Sequence, residues 1–288
     1  MAYDREIDKL IALALAEDVG SGDLTSQAVV DGKLRGTALI RAKEKGVLAG
    51  IQVAQRVFKK ADPTLKFTSF FKEGDRIRPK DRIALIKGSV RSILKAERTA
   101  LNFLQQLSGV ATYTSGFVAE VKGTPVKILD TRKTVPGLRT FQKQAVRSGG
   151  GQNHRMGLYD MILIKENHIK AAGSLSRAVN AAKSYSSRKL GGKRSRIEVE
   201  AKTLKEAGQA ARLGVDMIML DNMSLKHIKK AVRIIKSHDR KVKIEASGEI
   251  RLNRVKEIAR AGVDFISVGA LTHSAQALDF SLEVEATN

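Results

Sequence analysis

Two apolar runs in this sequence stop abruptly in charge. Residues 126–129 lead into Asp130, Thr131, Arg132 and Lys133, and residues 161–164 lead into Lys165, Glu166, Asn167 and His168. Between them lie Gly149, Gly150 and Gly151 and the pair His154–Arg155. Cations placed where strands end, beside a glycine loop, describe a pocket for a small, heavily anionic molecule. Arginine suits the planar carboxylate, and lysine serves phosphate as a compact charge.

The elements that must position these residues follow from pattern. Apolar strand-like runs recur at 126–129, 161–164, 197–201, 215–220, 242–246 and 263–268, with helical segments between most of them. Residues 211–218 (ARLGVDMI) echo residues 259–266 (ARAGVDFI). A helix end, a glycine C-cap and a buried strand recur, as in repeated βα units. This alternation predicts a parallel sheet closed, or nearly closed, into a barrel.

In such a barrel the active site lies at the C-terminal ends of the strands. Those ends supply Asp130, Arg132, Lys133, Lys165, Glu200, Asp221 and Asn222, then Glu245, Ser247, Gly248, Gly269 and Ala270. Alternation places Glu198 and Glu200 on one face, pointing inward. Small-residue loops at Ser247–Gly248 and Gly269 let backbone N–H groups approach phosphate. Carboxylates such as Glu200 and Asp221 in a cationic site hold Mg²⁺, bind sugar hydroxyls or stabilise a developing positive charge. The set fits a phosphorylated sugar plus an organic acid. Taken alone, the glycine triplet reads equally as a turn, and His154 as a structural hydrogen-bonder. Histidines 154, 168, 227, 238 and 273 show no close pair of the metal-site kind.

Upstream, residues 4–17 have helical apolar spacing, and residues 17–26 read as a turn-rich loop. Residues 34–88 read as short strands and turns with one short helix near 51–60. Ser89 is a plausible N-cap for a helix through Leu107, broken at Ser108–Gly109 and resumed to Lys122. Arg98 shares a face with Leu94 and Leu101. It is either a snorkelling arginine or a cation delivered into a site across a subunit interface.

The chain has 288 residues and a formal charge of +22, from 52 Lys and Arg against 30 Asp and Glu. That excess raises a basic polynucleotide-binding protein as a different class of function. Aromatics at 5% and the absence of tryptophan leave few stacking surfaces, and the cations are scattered along the chain. The densest group, residues 187–194, reads as a solvated connector. No apolar run reaches membrane-spanning length, and the start lacks a signal-peptide pattern, so a cytoplasmic location is expected. Without cysteine there is no thiol nucleophile and no disulfide.

Three segments closely resemble quinolinate phosphoribosyltransferase (nicotinate-nucleotide pyrophosphorylase, carboxylating): TRKTVPGLR at 131–139, GGGQNHRMGLYD at 149–160 and LIKENHI at 163–169. Further matches run in order along nearly the whole chain, including GDLTS at 22–26, ERTALN at 97–102, IEVE at 197–200 and EASG at 245–248. Ser148 stands where many members have cysteine, and Gln142 and Gln144 where Glu and Tyr are common; none is expected to affect chemistry.

The resemblance implies an α/β fold: an N-terminal α/β sandwich over 1–110 and an open, seven-stranded TIM-like β/α barrel over 111–288, the extreme C-terminus packing back on the sandwich. It implies a homodimer with no specific nucleic-acid or membrane partner. The implied reaction joins quinolinate and phosphoribosyl pyrophosphate with Mg²⁺, giving nicotinate mononucleotide, pyrophosphate and CO₂ in de novo NAD synthesis. Arg98 from the partner subunit, Arg132, His154, Arg155 and Lys165 would grip quinolinate. Lys133, Lys165, Glu200, Asp221, Ser247, Gly248 and Gly269 would hold phosphoribosyl pyrophosphate. Glu200 and Asp221 would hold Mg²⁺, directly or through water, and with Lys133 and Lys165 form the catalytic set. The alternatives are a same-fold relative found with molybdate-transport genes and a nicotinate-specific transferase.

Overall fold

The computed structural model describes residues 2–189 and 195–285. The chain forms two compact units, Met1–Ser115 with Val135–Gly150 and Ser274–Asn288, and Gly116–Thr134 with Gly151–His273. The first unit is assembled from three stretches of chain. It takes in α5 (Arg139–Ser148) and the last strand, β12 (Phe280–Glu285).

In the first unit, α1 (Ala2–Val19) and α2 (Leu24–Val29) precede β1 (Arg35–Ala42), β2 (Gly46–Val47) and α3 (Ile51–Ala61). β3 (Lys66–Ser69), β4 (Arg76–Ile77), β5 (Arg82–Ser89) and the start of α4 (Val90–Glu120) follow. The main sheet has the order β12-β1-β5-β3, and its pairs are antiparallel. Ala38, Leu39 and Ile40 are successive in β1 and all fully buried, so both faces of the sheet are covered. Leu39 and Ile40, removed from water, each contribute about 1.5–3 kcal/mol. The turn-rich reading of residues 17–26 needs correction, because Asp23 accepts from Ser26 N at 3.0 Å and so caps α2.

The expected break at Ser108–Gly109 is absent, and α4 runs through it. The two residues serve packing instead. Ser108 Oγ accepts from Ala49 N and donates to Ala49 O, both at 3.0 Å. Gly109 leaves room for the Gln276 carbonyl, which any Cβ would strike. Gly149 also marks a close approach, since a Cβ there would meet the Ala111 carbonyl and Thr114.

The second unit holds β6 (Lys127–Leu129), β7 (Ile162–Ile164), α6 (Glu166–Ala172), α7 (Leu175–Lys189), β8 (Ile197–Ala201) and α8 (Leu204–Arg212). It continues with β9 (Met217–Asp221), α9 (Leu225–His238), β10 (Lys243–Ser247), α10 (Leu252–Ala259), β11 (Phe265–Ser267) and α11 (Ala270–His273). The described strands form an open parallel sheet of six, ordered β6-β11-β10-β9-β8-β7. Against the seven strands implied by resemblance, the described residues show six in this sheet, with one isolated parallel bridge from Leu129 to Gln152. The connector expected at 187–194 is helical through Lys189, and residues 190–194 lie outside the described residues. Among the described residues, no helix is long and apolar enough to cross a membrane.

The ARxGVD echo proves to be a repeated device. Gly214 and Gly262 take φ of +63° and +92°, the left-handed geometry that ends a helix. The aspartate two residues on then brackets the start of the neighbouring strand. Asp216 Oδ2 accepts from Ile197 N at 2.8 Å, and Asp264 Oδ2 from Ile244 N at 2.9 Å. Register is fixed at this end of the sheet, so side chains at the other end are placed by strand length and pleat.

Candidate active site

The pleat sorts the sheet residues. Ile197, Val199, Ile218, Leu220, Ile244, Ala246 and Ile266 are fully buried and face the helices. The opposite face carries Leu163, Glu198, Glu200, Met219, Asp221, Glu245, Ser247 and Ser267, consistent with the strand register. Over this face opens a cavity of about 810 Å³.

Its wall includes Arg132, Lys133, His154, Arg155, Lys165 and Asp221, with Ser247, Gly248 and Gly269 opposite in sequence order. Nine of the eleven residues expected from sequence therefore line one cavity. Glu200 is not on its wall, but its Oε2 is paired with Lys165 Nζ, one residue from it. Arg98 lies on α4 in the first unit, is exposed there, and does not line the cavity. Gly149, Gly150 and Gly151 are not among its lining residues.

Asn222 shapes one rim. It holds φ +54°, a left-handed conformation that asparagine tolerates. Its N–H donates to Ser247 O at 2.9 Å, and its Oδ1 accepts from Glu249 N at 3.1 Å. Its Nδ2 donates to Asp221 Oδ1 at 3.1 Å. Gly248 has φ +121°, and a Cβ there would collide with Asn222. The strand ends at Asp221 and Ser247 are thus stitched into one loop. Two basic side chains on the wall, Arg251 and His273, escaped the sequence reading. Arg251 stands beyond the strand end at the start of α10, and His273 sits four residues after Gly269, one helical turn away. That i, i+4 spacing is the signal that could have found His273.

Beneath the cations lies a buried polar floor. Glu198 and Glu245 are both 0% exposed, and His154 Nε2 lies 3.1 Å from Glu198 Oε2 and 3.4 Å from Glu245 Oε2. Glu245 Oε1 accepts from Ser267 Oγ at 2.6 Å. Asp130, also fully buried, accepts from His154 N at 2.9 Å and Asn153 Nδ2 at 2.5 Å. Sequence placed Glu198 inward but could not show that His154 meets it from a loop more than 40 residues away.

Two influences on His154 oppose each other. Burial draws its pKa down, whereas hydrogen bonds and charge from Glu198 and Glu245 push it up. Yet Arg155 N–H points at Nδ1 from 2.7 Å, and two N–H groups do not face each other at that distance. Both sets of contacts agree on one arrangement: the carboxylates hold the proton on Nε2, and the Nδ1 lone pair accepts from Arg155 N–H. Burial, then the charge of Glu245, pushes Glu198 up to about 7, so the carboxylate pair itself holds a proton readily. Burial, then the neighbouring Arg132, lowers the Arg155 pKa, the mark of two like charges held together. Such a pair is stable where a ligand brings matching negative charge.

The segment after β7 behaves differently from its neighbours. His168 Nδ1 accepts from Lys165 N at 2.9 Å, and Glu166 pairs with Lys202 and with Lys170 at 2.6 Å. Of Lys165, Glu166, Asn167 and His168, only Lys165 lines the cavity.

Profiles for the quinolinate phosphoribosyl transferase C-terminal and N-terminal domains match residues 110–283 and 23–108. The quinolinate phosphoribosyltransferase [decarboxylating] 1b of Nicotiana tabacum is 39% identical over 297 residues, covering 97% of this chain and 83% of that protein. The structure of NadC from Streptococcus pyogenes is 44% identical with a TM-score of 0.90, covering 97% of each chain. The nicotinate-nucleotide pyrophosphorylase structure from Francisella tularensis is 43% identical with a TM-score of 0.89, covering 98% of this chain and 96% of that one. With both profiles in order and nearly the whole length aligned, this chain belongs to the quinolinate phosphoribosyl transferase family.

Proposed function

We propose that the chain transfers the phosphoribosyl group of phosphoribosyl pyrophosphate to quinolinate with decarboxylation, giving nicotinate mononucleotide, pyrophosphate and CO₂ in de novo NAD synthesis. The carrying observation is the convergence of Arg132, Lys133, Arg155 and Lys165 on one cavity that also holds Asp221 and two small-residue loops. Quinolinate is a dianion. Arg132, Arg155 and Lys165 balance its carboxylates, with His154 beside them. Lys133 and Lys165 meet phosphate charge, and the turns at Ser247–Gly248 and Gly269 leave backbone room for the 5′-phosphate.

The pyridine nitrogen attacks the anomeric carbon as the bond to pyrophosphate breaks. Glu200 and Asp221 oppose the positive charge that develops there. The ring nitrogen is then cationic, the adjacent C–CO₂⁻ bond breaks, and its electron pair enters the ring plane until a proton arrives. The nearby cations stabilise that carbanion, and no organic cofactor is required.

Glu200 and Asp221 are hard oxygen donors on adjacent strands and one face, which fits Mg²⁺, an ion that takes one or two carboxylates and leaves its remaining positions to phosphate and water. When bound it neutralises pyrophosphate charge. Our reading includes a homodimer in which Arg98 comes from the partner subunit, and a cytoplasmic setting suited to soluble, phosphorylated substrates. Mixing inactive Arg98→Ala and Lys165→Ala proteins tests the shared site: activity returns on subunit exchange if it is correct, and never returns if each site is built from one chain.

The function itself is tested by measuring CO₂ and pyrophosphate with phosphoribosyl pyrophosphate, Mg²⁺ and quinolinate, with nicotinate in parallel. Equal yields from quinolinate alone are expected. Pyrophosphate from nicotinate, or no reaction with either acid, overturns the acceptor assignment.

A further inference from the structure

The polar floor of the cavity is unexplained by the reaction above. Glu198 and Glu245 are fully buried acids beneath a site for anions, and Glu198 Oε1 has no hydrogen-bond partner among the described residues. Burying such groups is expensive unless they act on a neighbour. The neighbour here is His154, whose side chain is 7% exposed and whose Nε2 faces both carboxylates at 3.1 and 3.4 Å.

Three further contacts converge on the same two residues. Asp130 Oδ1 accepts from His154 N at 2.9 Å. Arg155 N–H donates to His154 Nδ1 at 2.7 Å. Arg155 Nη1 donates to Met161 O at 3.0 Å. The ring therefore carries its proton on Nε2, in ion-pair range of two carboxylates, and keeps a lone pair on Nδ1 used by the next residue's backbone. A histidine can ligate a metal only through a lone pair. Here Nε2 has none to give, so the trio is not a metal site despite its His–Glu–Glu composition. It is a brace.

We propose that Glu198 and Glu245 are positioning residues for the acid site: their carboxylates fix the tautomer and tilt of the His154 ring, and through the His154–Arg155 peptide they fix the Arg155 guanidinium. The inference rests on reading the cavity as the acid-binding site. Its reach is confined to the acid end, because the phosphate loops at Ser247–Gly248 and Gly269 are held by Asn222 and by α11. Loosening the brace weakens acid binding without disturbing the phosphoribosyl donor.

Two measurements test this. The first is the nitrogen NMR spectrum of the His154 ring in the full chain, assigned with His154→Gln. Protonated Nε2 and unprotonated Nδ1 are expected, with that preference lost in a Glu198→Leu, Glu245→Leu double variant. Protonated Nδ1 in the unaltered protein, or an unchanged spectrum in the double variant, overturns the proposal. The second is steady-state kinetics. Glu198→Leu is expected to raise KM for the acid roughly tenfold, the scale of a lost buried contact, with KM for phosphoribosyl pyrophosphate within about twofold. Glu198→Gln keeps an acceptor and should return the acid KM to within about threefold of the original. A parallel rise in both KM values, or a Gln variant no better than Leu, sinks it. If neither acid reacts at all, the function fails, while the nitrogen spectrum still decides the brace.

Discussion

The two ends of the parallel sheet use the same residue type in opposite ways. At the N-terminal end, Asp216 and Asp264 are answered by backbone N–H groups of the adjacent strands, and Asp264 also by Lys243 Nζ at 2.8 Å. At the opposite end and in the middle, Glu198, Glu245 and Asp221 face other side chains and an open cavity. An aspartate satisfied by backbone stabilises a register and leaves nothing over for a ligand. An acid or base satisfied by side chains leaves a local field that a substrate can complete. The difference explains why the repeated ARxGVD segments are structural, although their charged residues resemble those of the site.

That contrast can be broken most severely at the cavity. Lys165→Ala removes a cation on the wall that also pairs with Glu200. Loss of one preorganised charge contact predicts a fall in kcat/KM of roughly 10²–10³-fold, read by pyrophosphate release, with little change in melting temperature. A fall below about fivefold would place the chemistry elsewhere.

Gly248→Ala comes next. The left-handed φ and the collision with Asn222 both oppose a side chain, so the loop joining Asp221 and Ser247 must shift. Activity is expected to drop by roughly 10-fold or more through misplacement of the phosphate end, seen mainly in KM for phosphoribosyl pyrophosphate. An unaltered KM would show that this turn does not touch the donor.

At the other end of the sheet, Asp264→Asn should act on stability alone. Burial works to raise the Asp264 pKa, but the Lys243 and Ile244 contacts outweigh it and hold it below its ordinary 3.8. A lowered folded-state pKa contributes stability that is present above the ordinary value and lost as pH falls through the folded one. The variant should therefore lose about 1–3 kcal/mol at pH 7 and show a shallower decline below about pH 4. Chemical denaturation across pH measures both, and kcat should hold. Smallest of all is Glu166→Gln. Hydrogen bonds to Lys170 and Lys202 lower its pKa to about 2, yet the side chain is 42% exposed, so screening leaves no resolvable change in melting temperature.

The cations were legible at the level of strings. Charge directly after an apolar run marks a strand end, and all parallel strands end on the same side, so Arg132, Lys133, Lys165 and Asp221 had to converge. Ser108–Gly109 was misread because small residues signal a helix break and a close packing contact with equal force; only the Gln276 carbonyl beside Gly109 distinguishes them. Arg251 and His273 were missed because each lies one turn or more beyond its strand, where the period-2 argument no longer applies.

The amino-acid sequence by itself determined which residues share a strand face, where the strands end, and which cations stand there, because pleat and helix period are local properties. The tertiary structure alone decided that His154 drops between Glu198 and Glu245 and that Gln152 bridges to Leu129. Those pairings join residues 44, 91 and 23 positions apart in the chain. Their partners are chosen by sheet order and loop closure, which no local pattern encodes.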